Sequence, residues 1–253
     1  MVKKLILVLL SYCICSIAYA DKSIYVSAPS SIWAEAKGFE MQGPIIDFVS
    51  GIFSEHGIPV VSQNLPWDRA LYNLRNGHLD AMLVLLHTEE REKFIEYSIP
   101  YAEIPTSIFV PKGQSFTFTS LDDLIDKTGL IVQGEQYGKK FEAFKSQLNL
   151  STVTTSEQMV EMLSRKRVDY VVSQYYAFLS TAKRLGLIDR FDVLPQDVEL
   201  NSIHIGFSKK SKFVNYLPEI NTGVLKMKAD GEINRILNSS YKAFKKAVST
   251  DVN

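Results

Sequence analysis

Ala81-Met-Leu-Val-Leu-Leu86 is a run of six apolar residues, and His87-Thr-Glu-Glu-Arg91 follows it directly. A run of that length fits one strand buried on both faces, the pattern of a parallel sheet covered by helices. Working back from it, Asp68–Asn76 reads as a helix that buries Leu71 and Leu74 and stops at Gly77. Val60–Asn64 is a short strand. Pro44–His56 is a helix with Ile45, Phe48, Val49, Ile52 and Phe53 along one stripe, and Ser23–Ala28 is a strand. This βαβαβ run implies parallel strands with right-handed crossovers.

Working forward, the alternation restarts. Thr106–Val110, Leu130–Gln133, Val168–Ser173 and Ser202–Ser208 read as strands. Ser120-Leu-Asp-Asp123 opens a short helix, Lys139–Gln147 is another, and Thr155 with Gln158 suggests a capping box for a helix reaching Lys166. Tyr175–Leu185, Asn215–Ala229 and Glu232–Val248 complete the helices. No low-complexity linker separates the two α/β units, so short strands are expected to join them.

The 253 residues carry 28 basic and 28 acidic side chains. A chain without a basic surplus is a poor match for phosphate, so no nucleic-acid partner is expected. Residues 1–20 read as a secretory signal peptide: Lys3 and Lys4 precede an apolar stretch, and Ala18-Tyr-Ala20 is a small-residue cleavage site. Cleavage after Ala20 would leave 26 basic and 28 acidic residues, a net charge of −2, and would remove Cys13 and Cys15, the two cysteines. The expected product is periplasmic, with no disulfide. His56, His78, His87 and His204 show no ligand spacing, so no metal and no cofactor is expected.

Several residues break local rules at strand ends, where open α/β sheets bind ligands. Thr88 can cap a helix in which Arg91 would oppose the dipole, at a cost of about 0.3–1 kcal/mol unless an anion answers it. Arg91 is therefore either a ligand-binding cation or a surface partner of Glu89. Leu65-Pro-Trp-Asp-Arg69 ends another strand; Trp67 is a core residue or, beside Arg69, a stacking platform. Trp33 poses the same choice. Gly134-Glu-Gln-Tyr-Gly138 is an ordinary turn or a place where backbone approaches a ligand, but it is no nucleotide loop.

Taken together, Leu65-Pro-Trp-Asp-Arg-Ala70, Asn76-Gly-His-Leu-Asp-Ala81, Thr88-Glu-Glu-Arg-Glu-Lys-Phe94 and Tyr97-Ser-Ile-Pro-Tyr101 resemble the bacterial extracellular solute-binding proteins of family 3. Gly134–Gly138 and Val168-Asp-Tyr-Val-Val-Ser-Gln174 match that family's second lobe in order and spacing. The resemblance implies a type II periplasmic-binding-protein-like clamshell, each lobe a mainly parallel sheet flanked by helices. Lobe one would take residues 21–109 and 206–253, lobe two residues 110–205, with hinge strands near Phe109 and Ile205. Ligand contacts would come from Trp67, Arg69, Thr88, Arg91, Tyr137 and Gln174, with Arg91 on a carboxylate. The acidic residue that usually holds an amino acid's ammonium falls at Gln174, and two usually polar positions are Val84 and Leu86.

The function so implied is a non-catalytic, monomeric receptor that delivers a small polar or anionic, amino-acid-like solute to an ABC-type permease in the inner membrane. Two alternatives share the scaffold. One is a cyclic-acid dehydratase, for which Glu135, His87 and Glu103 are the available acid–base groups. The other is a free-standing sensor for a membrane receptor.

Overall fold

The computed structural model describes residues 23–239. The leader, both cysteines and the end of the last helix toward Val248 lie outside the described residues. The elements, in chain order, are β1 (Ile24–Ser27), β2 (Glu35–Lys37), β3 (Glu40–Gln42), α1 (Pro44–Ser54), β4 (Val60–Gln63), α2 (Trp67–Asn76), β5 (Ala81–Leu86), β6 (Ile95–Tyr97) and β7 (Ala102–Pro111). They continue with β8 (Thr128–Val132), α3 (Lys139–Phe144), β9 (Asn149–Val153), α4 (Ser156–Ser164), β10 (Tyr170–Gln174), α5 (Tyr175–Arg184), β11 (Phe191–Val193), β12 (Glu199–Ser208) and α6 (Leu217–Ala229). Residues 232–239 are helical.

One continuous sheet runs β4-β1-β5-β12-β7-β10-β8-β9, with β6 added to β12 and β11 to β7. β1 pairs in parallel with β4 and β5, and β8 pairs in parallel with β9 and β10, so each lobe has the parallel heart expected of it. All six residues of β5 are buried. Met82 and Leu85 meet Ala70 and Leu74 of α2 on one face, while Ala81 and Leu83 join Ile45, Val49 and Phe53 of α1 on the other. Lobe two is sandwiched the same way. Phe109 packs with Leu130, Leu163 and Phe178 on one face, and its neighbour Ile108 packs with Tyr137, Phe141 and Val172 on the other, the period of a strand.

β7 and β12 join the lobes, and their mutual pairing locates the crossing. Ala102–Thr106 pairs antiparallel with Glu199–Ile203. From Ile203 to Phe207, β12 belongs to β5 in lobe one, and from Thr106 to Phe109, β7 belongs to β10 in lobe two. The crossing therefore precedes Phe109 and Ile205 on both strands. Phe109 is a lobe-two core residue, stacked on Phe178 with ring centroids 3.9 Å apart.

Two local readings change. Thr88 does cap, its hydroxyl accepting from Arg91 N at 3.2 Å, but only a single 3-10 turn, Arg91–Lys93, follows. A helix dipole therefore does not act on Arg91. Thr155 Oγ1 accepts from Gln158 N, as a capping residue should, whereas Gln158 returns its bond to Thr154 N. At Gly129 in β8, a Cβ would stand 2.4 Å from Tyr170 Cζ and 2.6 Å from Leu150 Cδ2, so the strand packs there only without a side chain.

Candidate functional site

Arg91 turns inward from its single turn and is 4% exposed. Its Nη1 donates to Leu86 O at 3.2 Å and its Nη2 to Gly134 O at 3.3 Å, and its guanidinium carbon lies 5.1 Å from the centre of the Trp67 ring. Among the described residues no carboxylate stands within 4 Å ion-pair range of it. Burial lowers its pKa, opposed by the fields of Tyr97, Glu90 and Glu135. An arginine stays cationic even so. The result is a desolvated positive charge held by two carbonyls and the face of Trp67.

Gly134 is where lobe two touches this group. Its carbonyl also accepts from Trp67 Nε1 at 2.9 Å, so one lobe-two oxygen takes bonds from two lobe-one side chains. The residue has φ +76°, and a Cβ on it would lie 2.4 Å from Asp68 Oδ1. Both facts call for glycine.

Glu135 comes next. Burial raises its carboxyl pKa to about 7; the Tyr137 O–H bond and Arg91 pull the other way, and Asp68 adds to the rise. Gln174 ends β10, with Nε2 donating to Gln136 O at 3.4 Å and Oε1 buried without a partner. Arg91, Trp67, Glu135 and Gln174 line one cavity of about 50 Å³ between the lobes, closed by Trp33, Val84, Leu86, Ile104, Tyr176 and Ile203. A second cavity, of about 260 Å³, shares Pro29, Trp67 and Glu135 with it and continues toward Ser30, Asn64 and Thr154–Glu157.

Of the six residues expected from the sequence, Trp67, Arg91 and Gln174 meet in this cavity. Tyr137 does not. It is fully buried in lobe two, its Oη accepting from Val132 N at 2.8 Å and donating to Glu135 Oε2 at 3.2 Å, with its ring edge-on to Phe141. The loop between Gly134 and Gly138, both at positive φ, turns Tyr137 into the core and leaves Glu135 on the cavity wall. Arg69 is exposed on α2 and outside the cavity. Thr88 lines a separate depression with His87, Gly138 and Glu199, on the other side of Leu86. Trp33, for which the sequence leaves open a core or a stacking role, and Glu135, which it offers only as an acid–base group, also line the cavity. Both follow strand ends, which is the one signal that could have flagged them.

Among the acid–base candidates, Glu103 is exposed on β7, and His87 bonds Glu92 at 2.6 Å outside the cavity. Only Glu135 enters it. No group of three or more His, Cys, Asp or Glu side chains among the described residues could hold a metal. No helix among them is long and apolar enough to cross a membrane.

Two α/β lobes joined by paired strands, with a cavity at their junction, define a type II periplasmic-binding-protein-like protein. The chain belongs to the bacterial extracellular solute-binding proteins, family 3, whose model matches residues 24–243, and it is a solute-binding protein of that family. Solved structures share the fold. An amino acid ABC transporter substrate-binding protein from Streptococcus pneumoniae bound to L-arginine is 18% identical with a TM-score of 0.73, covering 89% of this chain and 97% of that one. A histidine kinase sensor domain is 14% identical with a TM-score of 0.72, covering 86% and 95%. Among curated proteins, a probable histidine-binding protein of Neisseria gonorrhoeae is 25% identical over 115 residues, 43% of this chain. A membrane-bound lytic murein transglycosylase F of Desulfosudis oleivorans is 22% identical over 198 residues, 76% of this chain. The alignments span 42% of the length of each of these two relatives.

Proposed function

We propose that this protein is an exported, non-catalytic receptor that closes on a small polar or anionic solute and delivers it to an ABC-type permease. The observation that carries the reading is Arg91, a buried cation at the lobe junction with carbonyl partners and, among the described residues, no carboxylate in ion-pair range. A guanidinium so placed grips a planar anion with two parallel bonds, and Trp67 gives the ligand body a face to pack on. The A-x-A leader supports export, and the transporter-type structural neighbours support delivery to a permease.

The test is a thermal-shift screen over amino acids, dicarboxylates and small oligomers, followed by calorimetry on Arg91→Ala with whichever compound binds. Leaving a desolvated ligand anion unpaired costs about 2–5 kcal/mol, so affinity should fall about 30-fold or more. Parent-like binding by Arg91→Ala would refute the reading. A dehydratase is the second reading, favoured by one observation: the Glu135 carboxyl, with its pKa raised by burial to about 7, is poised for proton transfer in the cavity. Turnover of prephenate by the parent and its loss in Glu135→Gln would support it.

A further inference from the structure

Two buried polar atoms of the cavity wall have no partner among the described residues. The Trp33 side chain is 1% exposed, and its Nε1 reaches no acceptor. Gln174 has Nε2 committed to Gln136 O, which fixes the amide's orientation, and its Oε1 is buried without a donor. Buried orphans of this kind are rare in folded proteins and call for an explanation. Trp33 and Gln174 line the same cavity as Arg91. The residues that carry an unpartnered donor, an unpartnered acceptor and a buried cation therefore line one cavity.

The rest of the wall restricts what that ligand can be. Val84, Leu85, Leu86, Ile104, Ala177 and Ile203 are apolar, so a charge away from Arg91 would be poorly solvated. An ammonium offers three donors and no lone pair. It could satisfy Gln174 Oε1 but would give Trp33 nothing. Glu135, the carboxyl among the described residues of the wall, is favoured in its protonated form by burial, with Asp68 adding to the effect, although the bond it accepts from Tyr137 acts the other way. A hydroxyl both donates and accepts, and it carries no charge into an apolar wall.

Building on the solute-binding reading, we infer that the cavity selects a small hydroxy acid over the matching amino acid: Arg91 takes the carboxylate, Trp33 Nε1 donates to the ligand, and Gln174 Oε1 accepts from its hydroxyl. Val84 and Leu86 then have a purpose, since neither offers an ammonium a polar partner. Trp33 is the specificity residue that this reading adds to the site.

Calorimetry at neutral pH with three matched pairs decides the matter: glycolate and glycine, L-lactate and L-alanine, L-malate and L-aspartate. The hydroxy acid of at least one pair should bind about tenfold tighter than its amino partner. Trp33→Phe keeps an aromatic ring against Tyr101 but removes the N–H, and should weaken that hydroxy acid about fivefold, the loss of one buried hydrogen bond. Gln174→Glu should reverse the preference within the pair. Melting curves confirm that both variants fold. Amino acids binding as well as or better than their partners in an Arg91-dependent way would overturn this inference and leave the solute-binding reading standing. So would a Trp33→Phe variant that binds the hydroxy acid as the parent does. Silence from all six compounds, with parent and variants folded, would overturn the inference; the solute-binding reading then rests on the wider screen.

Discussion

Replacing Glu135 by Gln removes a carboxyl whose ionisation the fold resists. In the folded protein burial raises its pKa from about 4.5 to about 7, while in the unfolded chain it keeps the ordinary value. Between those two pH values the unfolded chain has released a proton that the folded protein still holds. The unfolded state therefore binds fewer protons, and stability falls as pH rises through this window. The full effect of such a difference is about 3 kcal/mol. Glu135 keeps part of its surface in solvent, which reduces the share expected to about 1–2 kcal/mol. Glu135→Gln keeps the acceptor for the Tyr137 hydroxyl and abolishes the titration. Urea unfolding should find the variant equal to the parent near pH 4 and about 1–2 kcal/mol more stable near pH 8. A difference independent of pH would refute the reasoning. A variant less stable than the parent near pH 8 would show instead that attraction to Arg91 outweighs burial and holds the Glu135 pKa below its ordinary value.

Trp67→Phe keeps the aromatic face beside Arg91 but deletes the bond from Nε1 to Gly134 O that ties lobe one to lobe two. With about 0.5–1.5 kcal/mol of closure removed, small-angle scattering should give a larger radius of gyration than the parent's, and an unchanged value would count against a latch at Gly134. Gly129→Ala forces a methyl into the Tyr170 ring and Leu150 within the lobe-two sheet. It should cost about 1–3 kcal/mol in a urea titration, and a loss below about 0.5 kcal/mol would mean that the two side chains move aside freely.

The parallel core was legible because its signals are dense. β5 reads as a strand from six apolar residues alone, α1 from a stripe at helical spacing, and α2 from its buried Leu74 and the left-handed stop at Gly77. The hairpin of β2 and β3 was not legible. Only Met41 among its six residues is buried, and Phe39 at the turn is 94% exposed, so no alternation of apolar and polar side chains announces it. It is held by backbone and hydroxyl bonds to β4, such as the pair between Ser62 and Met41, which leave no hydrophobic trace. The 3-10 turn at Arg91 misled for a different reason. Thr88, Glu89 and Glu90 are good helix-start residues, but the chain ends its turn at Phe94 and pairs β6 with β12 instead. Tertiary pairing overrode a local preference.

The site divides along the same line. Trp67, Arg91 and Gln174 stand at or just beyond the ends of β4, β5 and β10, and any residue there in an open α/β sheet is a reasonable candidate. What position cannot supply is which side chain of a loop turns outward. Glu135 and Tyr137 are two residues apart between glycines at φ +76° and +108°. An aromatic is the more natural guess for a ligand contact, yet these backbone angles send Tyr137 to Phe141 and Glu135 to the cavity. Tyr137 keeps an influence on the site all the same, because its hydroxyl donates to the Glu135 carboxylate and draws that pKa down against burial. Having Glu135 rather than Tyr137 on the wall also changes the chemistry of the cavity: a neutral phenol would have left Arg91 to set the charge alone, whereas Glu135, its pKa raised by burial to about 7, makes that charge depend on pH near neutrality.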